Sequence, residues 1–306
     1  MIAAKAKTTL TILTGILIAA AVVFHNPISR NRAYVASALV WERHWPIASQ
    51  KDWLRGMGPA LSRSGLIEPT LVEVQPGIRF ILDPNDYLDQ TLLMTGSWES
   101  DSWEIVDEYL PTGGTFVDVG AHVGYYSVKA ARKVGEKGAV VAIEPNPRIV
   151  ERLRTNVELS DFRQVISIQP VAAFDHISKL TLFLSPGADT SQASLSAKNA
   201  SVYGSSPGSV TVEALPIDDI IERANVKRVD VIKLDIEGAE LKALRGANRT
   251  LKNYRPVLVV ETIEHHLRNM GDSEDELRRY LESLGFSQLK SVFRNVAWIP
   301  SERLSK

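Results

Sequence analysis

There is no cysteine anywhere in the 306 residues. That excludes a disulfide framework, a cysteine-ligated zinc site and a cysteine nucleophile, and it leaves the compartment open. Nor is there an excess of charge of either sign. Lys plus Arg is 35 against 36 for Asp plus Glu, a net charge of -1, so no global field draws in nucleic acid and polyanionic partners are not expected. The dinucleotide fingerprint G-x-G-x-x-G is missing from the glycine-bearing turn that follows the chain's clearest apolar strand. Its absence argues against an oxidoreductase that uses a nicotinamide or flavin dinucleotide. The length leaves room for one large domain or two small ones.

What is present is organised around residues 115–147, TFVDVGAHVGYYSVKAARKVGEKGAVVAIEPNP. Phe116, Val117 and Val119 form a short apolar run, broken by Asp118 and ended by Gly120, with Gly124 following. Tyr125, Val128, Ala131 and Val134 then recur at helical spacing, so one face of a helix packs on a sheet. A second apolar run over 139–143 ends in Glu144 and Pro145. The pattern is a β-α-β unit, whose strand ends and helix start share the sheet edge where nucleotide-like ligands bind. Gly120 lets the backbone approach a ligand, and Gly124 lets the helix sit close to the strand. Glu144 is placed to accept hydrogen bonds from the hydroxyls of a ribose; a solvated glutamate at a strand end is the plain alternative. Asp118, ahead of the glycines, would repel a pyrophosphate but suits the cationic amino end of an amino-acid-bearing nucleoside. That describes S-adenosylmethionine (SAM).

In chain order, residues 8–24 (TTLTILTGILIAAAVVF) carry no charge, with Lys5 and Lys7 before them and Arg30 and Arg32 after. The run is near the lower limit for crossing a hydrocarbon core of about 30 Å. It is expected as a single-pass N-terminal transmembrane anchor over residues 1–30, with a cleaved signal peptide as the competing reading. In a bacterial source the rest of the chain would then be cytoplasmic, where SAM is made, and Arg30, Arg32 and Arg43 after the span lean the same way. Residues 31–68 carry Trp41, Trp45 and Trp53 among basic residues, which suits either a juxtamembrane helical segment or an amphipathic helix packed on the domain.

The domain itself is expected over 69–306. Alternation over 71–83 around Pro76-Gly77 predicts a hairpin, and Asp101 with Glu104 a capping box for a helix over 102–110. Asn146 caps the next helix, with Pro147 at its first position. Strands fit 165–171 and 179–184. The Ser-, Gly-, Ala- and Asn-rich stretch 185–209 suits a mobile loop near a site, or a plain surface excursion. A buried strand over 229–234 runs into Asp235-Ile236-Glu237-Gly238-Ala239-Glu240 and a helix. The strand over 256–260 ends in Glu261, before Glu264, His265 and His266. Two closing strands near 287–292 and 295–300, with no helix between them, point to an antiparallel edge. The fold class is α/β: a doubly wound, mostly parallel seven-stranded Rossmann-like sheet with helices on both faces.

The segments VDVGAHVGYYS, VVAIEPNP, KLDIEGAELKALRGA and RPVLVVE, in that order and with GSWE upstream, resemble the FkbM-type methyltransferases, within the SAM-dependent class. The resemblance covers roughly Val72 to Val292. It implies methyl transfer from SAM to an oxygen, most often a hydroxyl of a sugar, glycolipid or polyketide, so the partner is a small-molecule, glycan or lipid acceptor. It also implies that Asp118 lies near the methionine amino group, that Glu144 holds the ribose, and that Ala172 and Asp235 flank the adenine and the reactive methyl. The motif segments add Glu99, Gly120, His122, Gly124 and Asn146 to the cofactor-binding set. His122 stands where the family usually has Asn, so an amide contact passes to an imidazole or is lost.

Methyl transfer to a hydroxyl needs the two reactants aligned and a group that removes the proton as charge builds on oxygen. Asp235 and Glu237 leave one strand at the ligand edge, Glu261 leaves the next, and His265 follows within a turn. Glu237 is the leading base and His265 the reserve, while capping of the helix near Gly238 is the alternative for Asp235 and Glu237. Clustered acids at neighbouring strand ends could also bind a divalent cation, but spacing alone assigns no metal ligands. A binding module on the same fold that has lost activity is the other function class the sequence permits.

Overall fold

The computed structural model describes residues 26–44, 61–62, 64–185, 193–201 and 207–304. Two compact units share the chain, Met1–Trp98 and Glu99–Lys306.

In the first unit a helix, α1 (Pro27–His44), precedes an antiparallel hairpin of β1 (Thr70–Gln75) and β2 (Ile78–Leu82), and α2 (Tyr87–Thr95) follows. Alternation puts Ile78, Phe80 and Leu82 on one face of β2, where all three are buried with Leu92 and Leu93 of α2. Asp86 caps α2 through the backbone N–H of Asp89, and Gly96 ends it in the left-handed conformation.

The expected membrane anchor is overturned. Among the described residues no helix is long and apolar enough to cross a membrane, and the apolar run over 8–24 lies outside them. The helix that follows that run is committed to protein contacts. Asn31 of α1 is fully buried and its Nδ2 donates to the Glu68 carbonyl at 2.8 Å, while Arg32 Nε donates to the Leu93 carbonyl at 2.9 Å. Those polar side chains have their partners inside the unit, and among the described residues nothing supports a transmembrane helix or the membrane as a partner. Of the tryptophans that suit a juxtamembrane segment or an amphipathic helix, Trp45 and Trp53 lie outside the described residues, as does the Trp41 side chain.

The second unit alternates helix and strand. In order come α3 (Ser100–Tyr109), β3 (Thr115–Val119), α4 (Tyr125–Val134), β4 (Ala139–Ile143), α5 (Pro147–Leu159), β5 (Ile166–Gln169), β6 (Ala172–Ala173), β7 (Ser178–Leu184), α6 (Ala197–Ala200), β8 (Gly208–Leu215), α7 (Ile217–Arg223), β9 (Val231–Leu234), α8 (Glu240–Arg245), α9 (Asn248–Tyr254), β10 (Val257–Glu261), α10 (Glu264–Asn269), α11 (Glu274–Ser283), β11 (Phe286–Val292) and β12 (Asn295–Pro300). The main sheet has seven strands in the order β11-β12-β10-β9-β3-β4-β5. Five are parallel, and β12 runs antiparallel to both β10 and β11.

Order reverses beside β3, with β4 and β5 to one side and β9 and β10 to the other. That makes the carboxyl ends of β3 and β9 the switch point where a crevice opens. Strands β3 and β10 are buried at every position, as expected of parallel strands covered by helices on both faces.

A separate three-stranded sheet, β6-β8-β7, sits between β5 and α7. It has its own apolar cluster of Ala172, Phe174, Leu182, Val212 and Ala214. Strand β8 and helix α7 have no counterpart in the sequence-based expectation. Within the stretch expected as a loop, 186–192 and 202–206 lie outside the described residues. Ser194 pairs with Phe183 at the end of β7, and α6 follows it.

Candidate active site

The turn after β3 is set by a close approach. Gly120 has φ +86°, and a Cβ there would fall 1.9 Å from the Asp235 carbonyl oxygen. The position therefore has to be glycine because of the neighbouring strand's exit, in addition to any ligand. The Gly120 and Ala121 N–H groups both donate to the Ile143 carbonyl, at 2.9 and 3.0 Å, which tie the turn to the end of β4. His122 follows at φ +50°, and Gly124 stands at the N-cap of α4.

Glu144, one residue past β4, is 6% exposed. Its Oε2 accepts from the His122 N–H at 3.0 Å and its Oε1 from the Asn146 N–H at 2.8 Å. A carboxylate offers about four acceptor positions, so each oxygen keeps one for a hydroxyl donor. Burial pushes Glu144 up to about 7, against the two backbone hydrogen bonds, which lower it. Asn146 caps α5, its Oδ1 accepting from the Arg148 N–H at 3.2 Å. Ala172 is buried in β6, paired with Ala214.

Asp118 and Lys233 face each other across the β3–β9 ladder, so their side chains share one face of the sheet. Asp118 is 1% exposed and its Oδ2 accepts from Ser127 Oγ at 2.6 Å. Lys233 is also buried, with Nζ 2.7 Å from Asp235 Oδ2, 3.9 Å from Glu99 Oε2 and 4.7 Å above the Tyr126 ring. Burial alone would depress the ammonium, but Asp235, Glu99, Tyr126 and Asp118 together hold it above its ordinary value. Burial would likewise raise Asp235, and Lys233 reverses this and keeps the carboxyl below its usual range.

Glu99 occupies the N-cap position of α3 but does not cap it: φ is +43° and the side chain makes no cap hydrogen bond. Tyr126 Oη instead donates to the Glu99 carbonyl at 3.1 Å and to its Oε2 at 3.3 Å. The box expected from Asp101 and Glu104 is displaced, since α3 begins earlier, at Ser100.

Beyond β9, the Asp235–Glu240 loop is folded on its own last residue. Glu240, 1% exposed, accepts from the N–H groups of Ile236 and Gly238 at 3.0 and 3.1 Å. Burial pushes it up to about 7. Glu240 therefore holds the loop, and Glu237 is free of any cap role. Glu237 has φ +55°, and its carbonyl accepts from Ser194 Oγ and Asn199 Nδ2, both at 2.8 Å. Asn199 Nδ2 also reaches the His266 carbonyl at 3.1 Å. Gly238, at φ +107°, permits this, because a Cβ there would meet the His266 carbonyl oxygen at 2.5 Å.

The Glu237 side chain ends 3.0 Å from His266 Nδ1. Burial raises the Glu237 carboxyl, a contact with His266 lowers it in part, and the negative charge of Asp235 adds to the rise. Glu261, the last residue of β10, is pushed up to about 11, first by burial and then by Asp235, Glu237 and Glu240. Unless a cation offsets these acids, the carboxyl favours its protonated form, which hydrogen-bonds to Asp235. His265 is exposed and stacks edge-on against His266 with ring centroids 4.3 Å apart.

The structure thus gathers Asp235, Glu237 and Glu261 at the ligand edge and places His266 rather than His265 beside Glu237. Both histidines were visible in the sequence, but only the phase of α10 separates them. The sequence alone assigns no site role to Lys233, Glu240, Tyr126 or Asn199. A lysine inside the apolar run VDVIKL was the one available signal that a buried charge network lay there.

A model of the Methyltransferase FkbM domain matches residues 118–287. The hexuronic acid methyltransferase AglP of Haloferax volcanii is 26% identical over 214 residues, which cover 70% of this chain and 80% of that protein. A probable cobalt-precorrin-6B C(15)-methyltransferase (decarboxylating) of Sulfolobus acidocaldarius is 47% identical over 57 residues, 19% of this chain and 30% of that protein. A solved structure of Methyltransferase FkbM from Methylobacillus flagellatus KT aligns with a TM-score of 0.41 at 19% identity, over 70% of this chain. The chain spans 55% of the length of that solved protein.

Proposed function

The chain belongs to the FkbM methyltransferase family, and on that premise we propose that it methylates a hydroxyl group of a sugar, free or carried on a glycan or lipid. SAM is the methyl donor in this family's chemistry, and when bound it supplies a methyl carbon activated by a sulfonium. The residues present fit it. Glu144 is fixed by two backbone N–H groups with acceptor capacity left for ribose hydroxyls, and Asp235, kept ionised by Lys233, supplies negative charge at the same strand ends.

The observation that carries the hydroxyl reading is the Glu237–His266 pair at 3.0 Å, beside the strand ends of β9 and β10. A hydroxyl must lose its proton during transfer, and a general base works best with a pKa drawn toward the working pH. Burial draws Glu237 that way. Glu237 takes the acceptor proton, and the adjacent imidazole steadies the carboxyl in either protonation state. A carboxylate acceptor would need no such base. The name of the Haloferax volcanii relative directs attention to hexuronic-acid-bearing glycans as the first acceptors to try.

The test is transfer of labelled methyl from SAM into fractionated glycans and glycolipids. Label held in a base-stable ether on a sugar is the expected product. Label recovered only as a base-labile methyl ester, or on nitrogen, would overturn the hydroxyl reading.

A further inference from the structure

Three side chains from three elements converge beside the proposed base: Glu237 after β9, Glu261 at the end of β10 and His266 on α10. Each offers one ligand atom, and these atoms all lie within 4.8 Å of one another. Around an ion with bonds of about 2.1 Å, cis ligands sit about 3.0 Å apart and trans ligands about 4.2 Å. The separation of His266 Nδ1 from Glu237 Oε2, 3.0 Å, is the cis value.

A second observation concerns satisfaction of these groups. Glu237 Oε2 and His266 Nδ1 are both sealed from solvent, and neither makes a well-aligned hydrogen bond despite their proximity. Buried polar atoms left in this condition are costly and call for a partner.

We propose that Glu237, Glu261 and His266 bind a divalent cation of the Mn2+ type. One imidazole and two carboxylates form a mixed set, harder than the nitrogen- and sulfur-rich sets favoured by zinc and copper. Three protein ligands leave positions open on a six-coordinate ion, and an acceptor hydroxyl or pair of hydroxyls fills them. The ion lowers the pKa of a bound hydroxyl. The O–H bond breaks toward the Glu237 oxygen that does not touch the metal, and the oxygen's electron pair forms the new bond to the methyl carbon as its bond to sulfur breaks. This inference deepens the hydroxyl-methylation reading and rests on it for the role of the ion, though not for its binding.

The experiment uses the full chain, stripped with EDTA and returned to chelator-free buffer, then titrated with Mn2+ while free ion is counted by electron paramagnetic resonance. One Mn2+ per chain is expected. His266→Ala and Glu261→Gln should each weaken it by about tenfold or more, as loss of a metal contact does. Calorimetric SAM binding by the same variants verifies that they are folded. Absence of bound Mn2+ in a parent chain that binds SAM would overturn the proposal. So would equal Mn2+ affinity in parent and folded variants. Sugar ether formation that persists undiminished in EDTA, without bound metal, removes the ion and leaves the hydroxyl reading standing.

Discussion

If Glu144 receives the ribose of SAM, binding has to pay for its ionisation, and that makes affinity depend on pH in a calculable way. In the free protein, burial holds the carboxyl at about 7, above its ordinary 4.5. The sign follows. A raised folded-state pKa means the folded chain binds the proton more tightly than the unfolded one, so this group's contribution to stability is greatest below the unfolded value. It is lost as pH rises through about 7. Ribose hydroxyls are donors and favour the charged carboxylate, so SAM binding expels the proton. Affinity should therefore be full above the folded pKa and fall below it. Between about pH 8 and pH 6 the ionised fraction drops roughly tenfold, about 1.4 kcal/mol. Calorimetry at both values, in buffers of different ionisation enthalpy, reads the affinity and the proton released together. Glu144→Gln removes the titration and places an amide N–H2 against one of the backbone N–H donors of His122 and Asn146. It should weaken binding by about 2–3 kcal/mol at the upper pH and flatten the pH dependence. Parent affinity that is equal at both pH values, or a slope that survives in the glutamine variant, would refute the assignment.

Glu237→Gln should leave SAM affinity intact while turnover falls by about 10² to 10⁴; an unchanged turnover number would send the proton elsewhere. Gly120→Ala forces a Cβ to 1.9 Å from the Asp235 carbonyl oxygen at φ +86°, and thermal unfolding should register a loss of more than about 3 kcal/mol, with a neutral result disproving the close approach. Lys233→Met leaves Asp235, Asp118 and Glu99 without their buried cation, and denaturant unfolding at neutral pH should show about 3–5 kcal/mol of destabilisation. Part of that loss should return at acid pH, where the carboxyls are neutral, and a deficit independent of pH would mean the packing of the lysine stem matters more than its charge.

The sequence made the parallel part of the sheet legible, because β3, β4, β9 and β10 are apolar runs, interrupted by Asp118 in β3 and Lys233 in β9, that end in Gly120, Glu144, Asp235 and Glu261. Propensity and local capping signals read them without help. The site was legible where one residue ends one strand, and illegible where elements far apart in sequence meet. Glu99 is expected in the cofactor-binding set from its motif segment alone, and only the fold shows its carboxylate 3.9 Å from Lys233, a tertiary partner. His265 and His266 could be separated only by knowing which side of α10 faces Glu237. Strand β8 escaped notice because GSVTVEAL follows a polar stretch and pairs with β7 rather than with the main sheet. Its alternation is that of a half-exposed antiparallel strand.

The small sheet has its own apolar cluster, and it leaves the main sheet after β5 and rejoins it before α7. Its contribution to the site is the Ser194 and Asn199 clasp on the Glu237 carbonyl. Such an arrangement behaves as an exchangeable cassette. Its length and outer surface can drift without shifting the register of any parallel strand, and so without disturbing Asp118 or Glu144. A graft of the segment between β7 and β8 from another member of the family, which leaves Ala172 in place, should therefore carry acceptor preference with it and leave the donor affinity of the recipient unchanged.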